Sequence, residues 1–428
     1  MSDHARPPGA PRRRRRQPKS AAERTPFVSN PAVELAPFAA DDYVPTGFAA
    51  LGVPEDVDMG LFAAGFSAPF AIQTEAIPVA LTGQDVCGRA RTGSGKTLAF
   101  GVPLLARLEG EAAPMRPLAL VLVPTRELAL QVAEVIAPVA HGCDRSVLAV
   151  YGGASRHDQI NVLKRGVDVV VATPLRLIDL LKENELDLDQ IQIVVLDEAD
   201  RMADDGFTPQ VEWILRKVTA AHQTMLFSAT LDGDVGHLVK KYMKDPVEVS
   251  IDSATATVGT MHHLFLAVHH MDKDKVVASI ASAVNKTIVF CQTKRTCDRV
   301  EEKLQELGVR AAAIHGDLPQ TAREKALRRF TDGELTVLVA TDVAARGIDI
   351  DDIAVVLHYE PAGDGKDYLH RSGRTARAGR DGWAVTLAEY NQHTQVRILQ
   401  RSLRLELAPP TEVFSNNPKL KDLSSFEA

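Results

Sequence analysis

The sequence predicts an α/β protein made of two tandem domains, each built on a parallel sheet flanked by helices. The chain has 428 residues, which is too long for one ordinary core and favours two domains. From about residue 85, short runs rich in β-branched residues alternate with stretches of helical pattern, as in βαβ units. The small, polar stretch SIDSATATVGT at 250–260 interrupts this alternation, which then resumes.

The predicted strands therefore form two groups. The first group is LALVLV (118–123), VLAVY (147–151), VDVVVA (167–172), IQIVVL (191–196) and TMLFS (224–228). The second group is TIVFCQ (287–292), AAAIHG (311–316), LTVLVAT (335–341), IAVVLH (353–358) and WAVTLA (383–388). These groups predict a first domain at 41–250, a linker at 251–261, a second domain at 262–408 and a C-terminal tail at 409–428. In such sheets, ligands bind beyond the carboxyl ends of the strands.

Composition favours a soluble globular protein in the cytoplasm. Hydrophobic residues make up 45% and charged residues 25%, no run approaches 18 apolar residues, and the N-terminus lacks the apolar segment of a signal peptide. The four cysteines have neither metal-ligand nor disulfide-framework spacing, so we expect reduced thiols in or near the cores: Cys87, Cys143, Cys291 and Cys297.

The charge is unevenly distributed. The whole chain carries −7, yet residues 1–40 hold eight Lys or Arg against three Asp or Glu, which leaves −12 for the remainder. This segment contains five consecutive arginines, Arg12 to Arg16, and its composition predicts a disordered basic tail. Such a tail can bind nucleic-acid phosphate without reading sequence, or it can simply be a solubilising segment.

The stretch ARTGSGKT at 90–97 fits the phosphate-loop pattern, with Ala90 where the general form has glycine. Gly93 and Gly95 let backbone N–H groups approach a polyphosphate, and the following helix N-terminus favours its charge. Lys96 is expected to meet the β- and γ-phosphates and Thr97 a Mg²⁺ ion. The predicted nucleotide contacts of this loop are Ala90, Thr92, Gly93, Ser94, Gly95, Lys96 and Thr97.

A second polar segment ends the predicted strand IQIVVL with the letters DEAD at 197–200. Asp197 is placed to hold Mg²⁺ through water, and Glu198 to orient and deprotonate an attacking water. Together with the phosphate loop, these two acids predict ATP hydrolysis.

Six ordered motifs identify the chain as similar to the DEAD-box ATP-dependent RNA helicases, of the bacterial type. They are ARTGSGKT (90–97), PTREL (124–128), DEAD (197–200), SAT (228–230), ATDVAARGID (340–349) and HRSGRTAR (370–377). The resemblance covers roughly residues 46–405. It implies two RecA-like domains in a monomer, ATP and Mg²⁺ in the cleft between them, and RNA lying across both.

The resemblance also assigns nucleotide contacts outside the phosphate loop. GFSAPFAIQ at 65–73 resembles the family's Q motif, which implies that Gln73 bonds the adenine edge and that Phe48 stacks on the base. Asp349 resembles the ribose contact. Ser228 and Thr230 of SAT are expected to link hydrolysis to domain closure by hydrogen-bonding DEAD and the second domain.

The RNA contacts implied by the resemblance use backbone, hydroxyl and guanidinium groups, which bind phosphate and sugar rather than bases. One departure is Leu175, which stands where the family has glycine and puts the neighbouring Arg176 contact in question. The predicted RNA-binding residues are Pro124, Thr125, Arg126, Gly152, Gly153, Thr173, Arg176, Arg323 and Thr341.

The arginine-rich stretch HRSGRTARAGR at 370–380 completes the pattern. By resemblance, Arg374 and Arg377 meet the γ-phosphate as finger residues, while His370 and Arg371 couple the motif to SAT and DEAD. Arg380 falls beyond the motif and is expected to be a solvated charge.

We therefore expect an RNA-dependent ATPase that binds RNA largely without sequence specificity and locally unwinds duplexes or remodels RNA–protein complexes. A DNA-directed helicase and an ATP-gated RNA clamp are the two alternatives. Partners among ribosome-assembly or RNA-decay proteins stay open at this stage.

Overall fold

The computed structural model describes residues 43–90, 94–231, 233–250, 261–345, 353–376, 381–405 and 407–426. Two α/β domains lie within these ranges, as the sequence predicts. No helix among the described residues is long and apolar enough to cross a membrane.

The first domain alternates strands and helices along the chain. Its strands are β1 Val86–Arg89, β2 Ala119–Leu122, β3 Val147–Val150, β4 Val169–Ala172, β5 Ile193–Asp197, β6 Gln223–Ser228 and β7 Val247–Ser250. Its helices are α1 Glu55–Ala63, α2 Ala71–Leu81, α3 Lys96–Arg107, α4 Arg126–Gly142, α5 Arg156–Leu163, α6 Pro174–Lys182, α7 Ala199–Asp204, α8 Thr208–Leu215 and α9 Gly233–Tyr242.

The second domain follows the same plan. Its strands are β8 Met261–Ala267, β9 Thr287–Phe290, β10 Ala311–Ile314, β11 Val337–Ala340, β12 Val355–His358, β13 Gly382–Ala388 and β14 Thr411–Glu412. Its helices are α10 Lys273–Ala281, α11 Lys294–Glu306, α12 Gln320–Thr331, α13 Asp342–Ala345, α14 Gly365–Ser372 and α15 His393–Ser402.

The two sheets have the same topology. The order is β3-β4-β2-β5-β6-β1-β7 in the first and β10-β11-β9-β12-β13-β8-β14 in the second, so each strand has its counterpart seven strands later. The strand pairs described in both sheets are parallel. All the strands of a sheet therefore end at one edge, where ligands bind in folds of this kind.

Alternation along the strands builds a separate hydrophobic core on each face of the first sheet. In β2, Ala119 and Val121 belong to one buried cluster, and Leu120 and Leu122 belong to the other. Because both faces are covered by helices, the strand reads as a continuous apolar run rather than an alternating one. The four cysteines are free thiols: Cys87 and Cys143 lie in or against the cores of the first domain, and Cys291 and Cys297 lie in a core of the second.

The C-terminal segment differs from the predicted tail. Residues 411–412 add β14 to the edge of the second sheet, paired with β8. Val413 and Leu420 are buried in that domain's core, and Ser415 donates to both carboxylate oxygens of Asp272 at 2.6 and 2.7 Å. We therefore correct the boundary at residue 408, because the segment carries enough apolar side chains to pack on the sheet edge. The predicted linker lies outside the described residues apart from Met261, which begins β8.

Candidate active site and RNA-binding surface

The ATP-site motifs follow neighbouring strands. The phosphate loop follows β1, the DEAD segment ends β5, and SAT ends β6, and these strands are adjacent in the order β5-β6-β1. The backbone N–H of Ala90 donates to the carbonyl of Ser228 at 3.1 Å, which ties the start of the phosphate loop to SAT.

The phosphate loop needs glycine where it turns into α3. Gly95 caps this helix with a φ of 84°, and a Cβ there would lie 2.4 Å from the side-chain amide nitrogen of Gln73. That amide donates to the Gly95 carbonyl at 2.8 Å, while its oxygen accepts from the backbone N–H of Phe70 at 2.7 Å. Gln73 therefore positions the phosphate loop directly, and its predicted bond to adenine stays a prediction.

The structure corrects the expectation for Phe48. Its ring has no exposed surface and lies in the core of the first domain. Its backbone N–H donates to the hydroxyl of Thr46, which in turn bonds the buried carboxylate of Asp58. Because no face of the ring is open, Phe48 contributes to packing here and offers no surface on which a base could stack.

Asp197 and Glu198 form a buried acidic pair. Burial raises the pKa of Asp197 to about 6, and nearby Lys96 opposes that rise. Burial acts in the same direction on Glu198, but Arg201, Lys96 and other cations outweigh it and lower the pKa of Glu198 below its usual value. The two acids consequently have pKa values displaced in opposite directions, which suits them to different roles.

The backbone at Glu198 is unusual. Its φ of 51° and ψ of 48° place it in the left-handed region, which is rare for a residue with a side chain. This conformation ends β5 and starts α7 without a loop, so the carboxylate stays at the strand end. The backbone N–H of Glu198 also donates to Asp197 at 3.0 Å.

Arg201 also lies in the candidate site, although it was not among the residues predicted from the sequence motifs. It is 3% exposed, and its guanidinium lies 2.9 Å from the carboxylate of Glu198. Its signal in the sequence is its spacing, because residues three apart on a helix are neighbours. It also lines a pocket between the domains together with six second-domain residues: Phe290, Asp342, Asp367, His370, Arg371 and Arg374.

SAT contacts the DEAD segment as expected. The hydroxyl of Ser228 accepts from the backbone N–H of Asp200 at 3.2 Å and donates to the carbonyl of Thr230 at 2.6 Å. Thr230 thus takes part through its backbone, and the described contacts of SAT lie within the first domain.

The second domain brings α14 to the DEAD segment. The imidazole of His370 lies 3.7 Å from the carboxylate of Asp200 across the cleft. Arg374 is 2% exposed, and its charge helps to lower the pKa of Glu198. Residues of both domains therefore surround the predicted catalytic base.

Arg371 differs from the expectation that it couples to SAT and DEAD. Its guanidinium forms a two-bond pair with Asp342 of its own domain, at 2.5 and 2.6 Å, and lies over the ring of Phe290. A bidentate pair of this kind holds the guanidinium in one place. Arg371 therefore joins α14 to the segment after β11, and His370 alone of the two faces DEAD.

The predicted RNA contacts of the first domain follow the other half of its sheet, β3-β4-β2. Thr125 caps α4 by accepting from the backbone N–H of Leu128 at 3.3 Å, which holds Arg126 in the first turn. A Cβ on Gly153 would lie 2.7 Å from the guanidinium of Arg126, so these two predicted RNA-binding residues lie next to each other. Gly152 is exposed, with open space beside its Cα.

Leu175 does not disturb the Arg176 region. Thr173 precedes α6, Pro174 opens it, and Leu175 lies in its first turn with 54% of its surface exposed. Because a regular helical turn accepts leucine, glycine is not required at this position. Arg176 donates to the side chain of Gln159 at 2.9 Å and to the carbonyl of Ala154 at 3.3 Å.

Two of the predicted RNA-binding residues belong to the second domain. Arg323 of α12 lies 3.1 Å from the carboxylate of Glu127 in the first domain. Thr341 follows β11 and is buried, and its backbone N–H donates to Ile314 at 3.3 Å. In the first domain, Pro124 is buried between β2 and α4.

Some predicted positions lie outside the described residues, and their contacts remain predictions: Thr92, Gly93, Asp349, Arg377 and Arg380.

Comparisons with known proteins agree with the fold and identify the family. A DEAD/DEAH box helicase model matches residues 70–238, and a helicase conserved C-terminal domain model matches residues 272–379. The structure resembles that of S. cerevisiae Dbp5 bound to RNA and ADP BeF3, with a TM-score of 0.78 and 27% identity, over 90% of this chain and 99% of that one.

Curated relatives include the ATP-dependent RNA helicase CshA of Listeria monocytogenes, 38% identical over 85% of this chain and 70% of the relative. The ATP-dependent RNA helicase DeaD of Escherichia coli strain K12 is 41% identical over 85% of this chain, and the match spans 58% of that longer protein. On this evidence the chain belongs to the DEAD-box family of ATP-dependent RNA helicases.

Proposed function

We propose that this protein is an RNA-dependent ATPase that binds RNA largely without sequence specificity and locally unwinds duplexes or remodels RNA–protein complexes. The observation that carries this proposal is the cleft between the domains. Arg201, whose guanidinium lies 2.9 Å from the carboxylate of Glu198, lines one pocket together with His370 and Arg374 of the second domain. The catalytic constellation is therefore complete only when the two domains meet.

The ATP-site residues have separable roles in this proposal. Lys96, 7% exposed at the start of α3, holds the β- and γ-phosphates. Glu198, kept ionised by its cationic neighbours, orients the attacking water and accepts its proton. Arg374 and Arg377 stabilise the negative charge that develops on the transferred phosphoryl group.

The proposal includes Mg²⁺, and the chain's own residues fit it. Asp197 is a buried carboxylate whose ionised form burial disfavours, so a cation beside it would offset that cost. Thr97 supplies a half-buried hydroxyl in the first turn of α3. When bound with ATP, the ion would neutralise charge on the phosphate oxygens.

RNA binding would couple to this chemistry through the other half of each sheet. Dbp5, with a similar arrangement of domains, is bound to RNA in its structure. In this chain, Arg126 and Arg176 of the first domain and Arg323 of the second carry guanidinium groups, which are suited to bind RNA phosphates. ATP and RNA together would close the cleft, one strand would leave, and phosphate release would reopen it. We expect the protein to act in the cytoplasm, where both ATP and RNA are present. We also expect it to act as a monomer.

ATPase assays with RNA and DNA test this function. Turnover by the full chain should be stimulated by RNA and not by DNA of the same sequence. Glu198→Gln should bind ATP and RNA yet stall, whereas Lys96→Ala should also weaken ATP binding. Equal stimulation by DNA would favour the DNA-directed alternative, and RNA-stimulated turnover without strand separation would favour the ATP-gated clamp.

A further inference from the structure

Helices α7 and α14 face each other across the cleft, with two acidic residues on α7 opposite two basic residues on α14. Asp200 and Asp204 are one turn apart on α7, and Lys366 and His370 are one turn apart on α14. His370 lies 3.7 Å from Asp200, and the ammonium of Lys366 lies 2.8 Å from each carboxylate oxygen of Asp204. We call these two contacts between the domains a ladder, with His370–Asp200 as the inner rung and Lys366–Asp204 as the outer rung.

The two rungs differ in chemistry. The inner rung is buried on the acidic side, with 3% of the Asp200 side chain exposed. Burial, with Arg201 nearby, lowers the pKa of His370 to about 4, so its imidazole is neutral near pH 7. The outer rung is an ion pair at the rim, with 34% of Lys366 and 37% of Asp204 exposed. Lys366 therefore supplies the permanent positive charge of the ladder.

We propose that Lys366 and Asp204 form a latch that registers α14 on α7 and thereby positions the catalytic cleft. The assignment rests on the proposed function, because it concerns closure of the same two domains. α7 begins directly after the catalytic base Glu198. α14 ends at Ser372, two residues before Arg374. An ion pair between these helices therefore influences the distance between Glu198 and Arg374 without contacting the nucleotide.

The latch stabilises only the closed arrangement of the two domains. Its partners belong to different domains, so the 2.8 Å contact exists only while the domains are together. An interaction made in one of two states shifts their populations by its own free energy. Because exposed ion pairs are weak, we expect a shift of a few-fold rather than an absolute requirement.

A charge-swap experiment on the full chain tests the latch. The variants are Lys366→Glu, Asp204→Lys and the double variant that carries both changes. Lys303→Glu is the matched control, because Lys303 makes the same kind of exposed ion pair, at 2.7 Å, but with Glu306 of its own helix. Each is assayed for ATPase turnover against RNA concentration, and closure is followed with a fluorophore pair, one in each domain.

Each single swap places like charges opposite each other. We expect the RNA concentration for half-maximal turnover to rise roughly three- to tenfold, with the turnover at saturating RNA within about twofold of the wild type. The fluorophore pair should report a smaller closed fraction at subsaturating RNA. The double variant should recover most of both losses, because the attraction is restored with its direction reversed.

Two outcomes would overturn the latch. One is a set of single variants that match Lys303→Glu in both readouts. The other is a double variant that combines the two defects instead of restoring function, since the residues would then act separately. Failure of the proposed function has a different signature, namely wild-type protein whose turnover does not respond to RNA at all.

Discussion

Arg323 of α12 and Glu127 of α4 form an ion pair between the domains, with 3.1 Å between guanidinium and carboxylate. Only 9% of the Arg323 side chain and 10% of the Glu127 side chain are exposed. The carboxylate of Glu127 also lies 3.7 Å from the guanidinium of Arg126. One acid thus sits between two arginines, one from each domain, that are both predicted to bind RNA.

This pair predicts a strong effect of Arg323→Ala on RNA binding. The substitution removes a predicted phosphate contact and leaves the buried Glu127 without its partner from the second domain. We expect the RNA concentration for half-maximal ATPase turnover to rise by roughly tenfold or more. Arg328→Ala is the control, because Arg328 lies on the same helix with 83% of its side chain exposed. Similar RNA titrations for the two variants would remove Arg323 from the RNA-binding surface.

The arginine-rich motif predicts a graded set of losses. Arg374→Ala and Arg377→Ala should each lower RNA-stimulated turnover by about 10³- to 10⁵-fold, the range known for arginine fingers in other phosphoryl-transfer enzymes. ATP binding by the first domain should be retained, because its phosphate loop is unchanged. Arg380→Ala should have little effect. Steady-state ATPase assays compare the three, and near-normal turnover of the first two variants would assign the whole run to a solvated basic surface.

A buried histidine predicts a pH dependence of stability. His358 ends β12 with no exposed surface, stacked on Tyr368 at 4.6 Å between ring centroids, and one ring nitrogen lies 3.1 Å from the Ser372 hydroxyl. Burial, together with the charges of Arg371 and His263, lowers the pKa of His358 well below its usual value. The unfolded chain therefore takes up a proton below about pH 6.5 that the folded chain refuses, and stability falls as the pH falls.

The expected contribution of His358 is a loss of about 1 kcal/mol between pH 7.5 and pH 5.5. Thermal melting of His358→Gln should show a weaker pH dependence than the wild type across this window. Part of the slope should persist, because the pKa of His370 is lowered in the same direction. His270→Gln, at an exposed position, should leave the slope unchanged. A His358→Gln slope equal to that of the wild type would contradict the assignment.

The basic segment at residues 1–40 predicts a salt effect. Its deletion should weaken RNA affinity and reduce its salt dependence, while turnover at saturating RNA stays near that of the full chain. Each phosphate neutralised by Arg12 to Arg16 adds about 0.7 to 0.9 to the log–log slope of affinity against salt. RNA binding measured at several salt concentrations gives the slope directly. An unchanged slope would favour the solubilising alternative.

The sequence by itself determined the fold class, the two domains and most of the catalytic chemistry. Strand segments such as LALVLV are buried on both faces, and a fully buried parallel strand can be predicted from a short apolar run in the sequence. Lys96, Asp197 and Glu198 could be predicted as candidate site residues because phosphate binding and water activation need those residue types after the ends of strands. These signals are local, so a linear pattern contains them.

Tertiary structure alone decided which residues face each other. Phe48 and Arg371 carry the family's letters, yet Phe48 packs in the core and Arg371 pairs with Asp342, because packing and nearby charges compete for each side chain. The C-terminal segment docks on the edge of the second sheet for a similar reason, since its strand β14 pairs with β8 and its apolar residues pack in the core there. Neither competition is visible in a motif.

The partition of the sheet has the same origin. ATP-site motifs follow β5, β6 and β1, whereas predicted RNA contacts follow β3, β4 and β2, and only the strand order separates the two sets in space. The pairs Arg323–Glu127 and Lys366–Asp204 join residues that are 196 and 162 positions apart in the chain. Contacts at such separations depend on how two folded domains meet, and no local pattern in the sequence encodes that meeting.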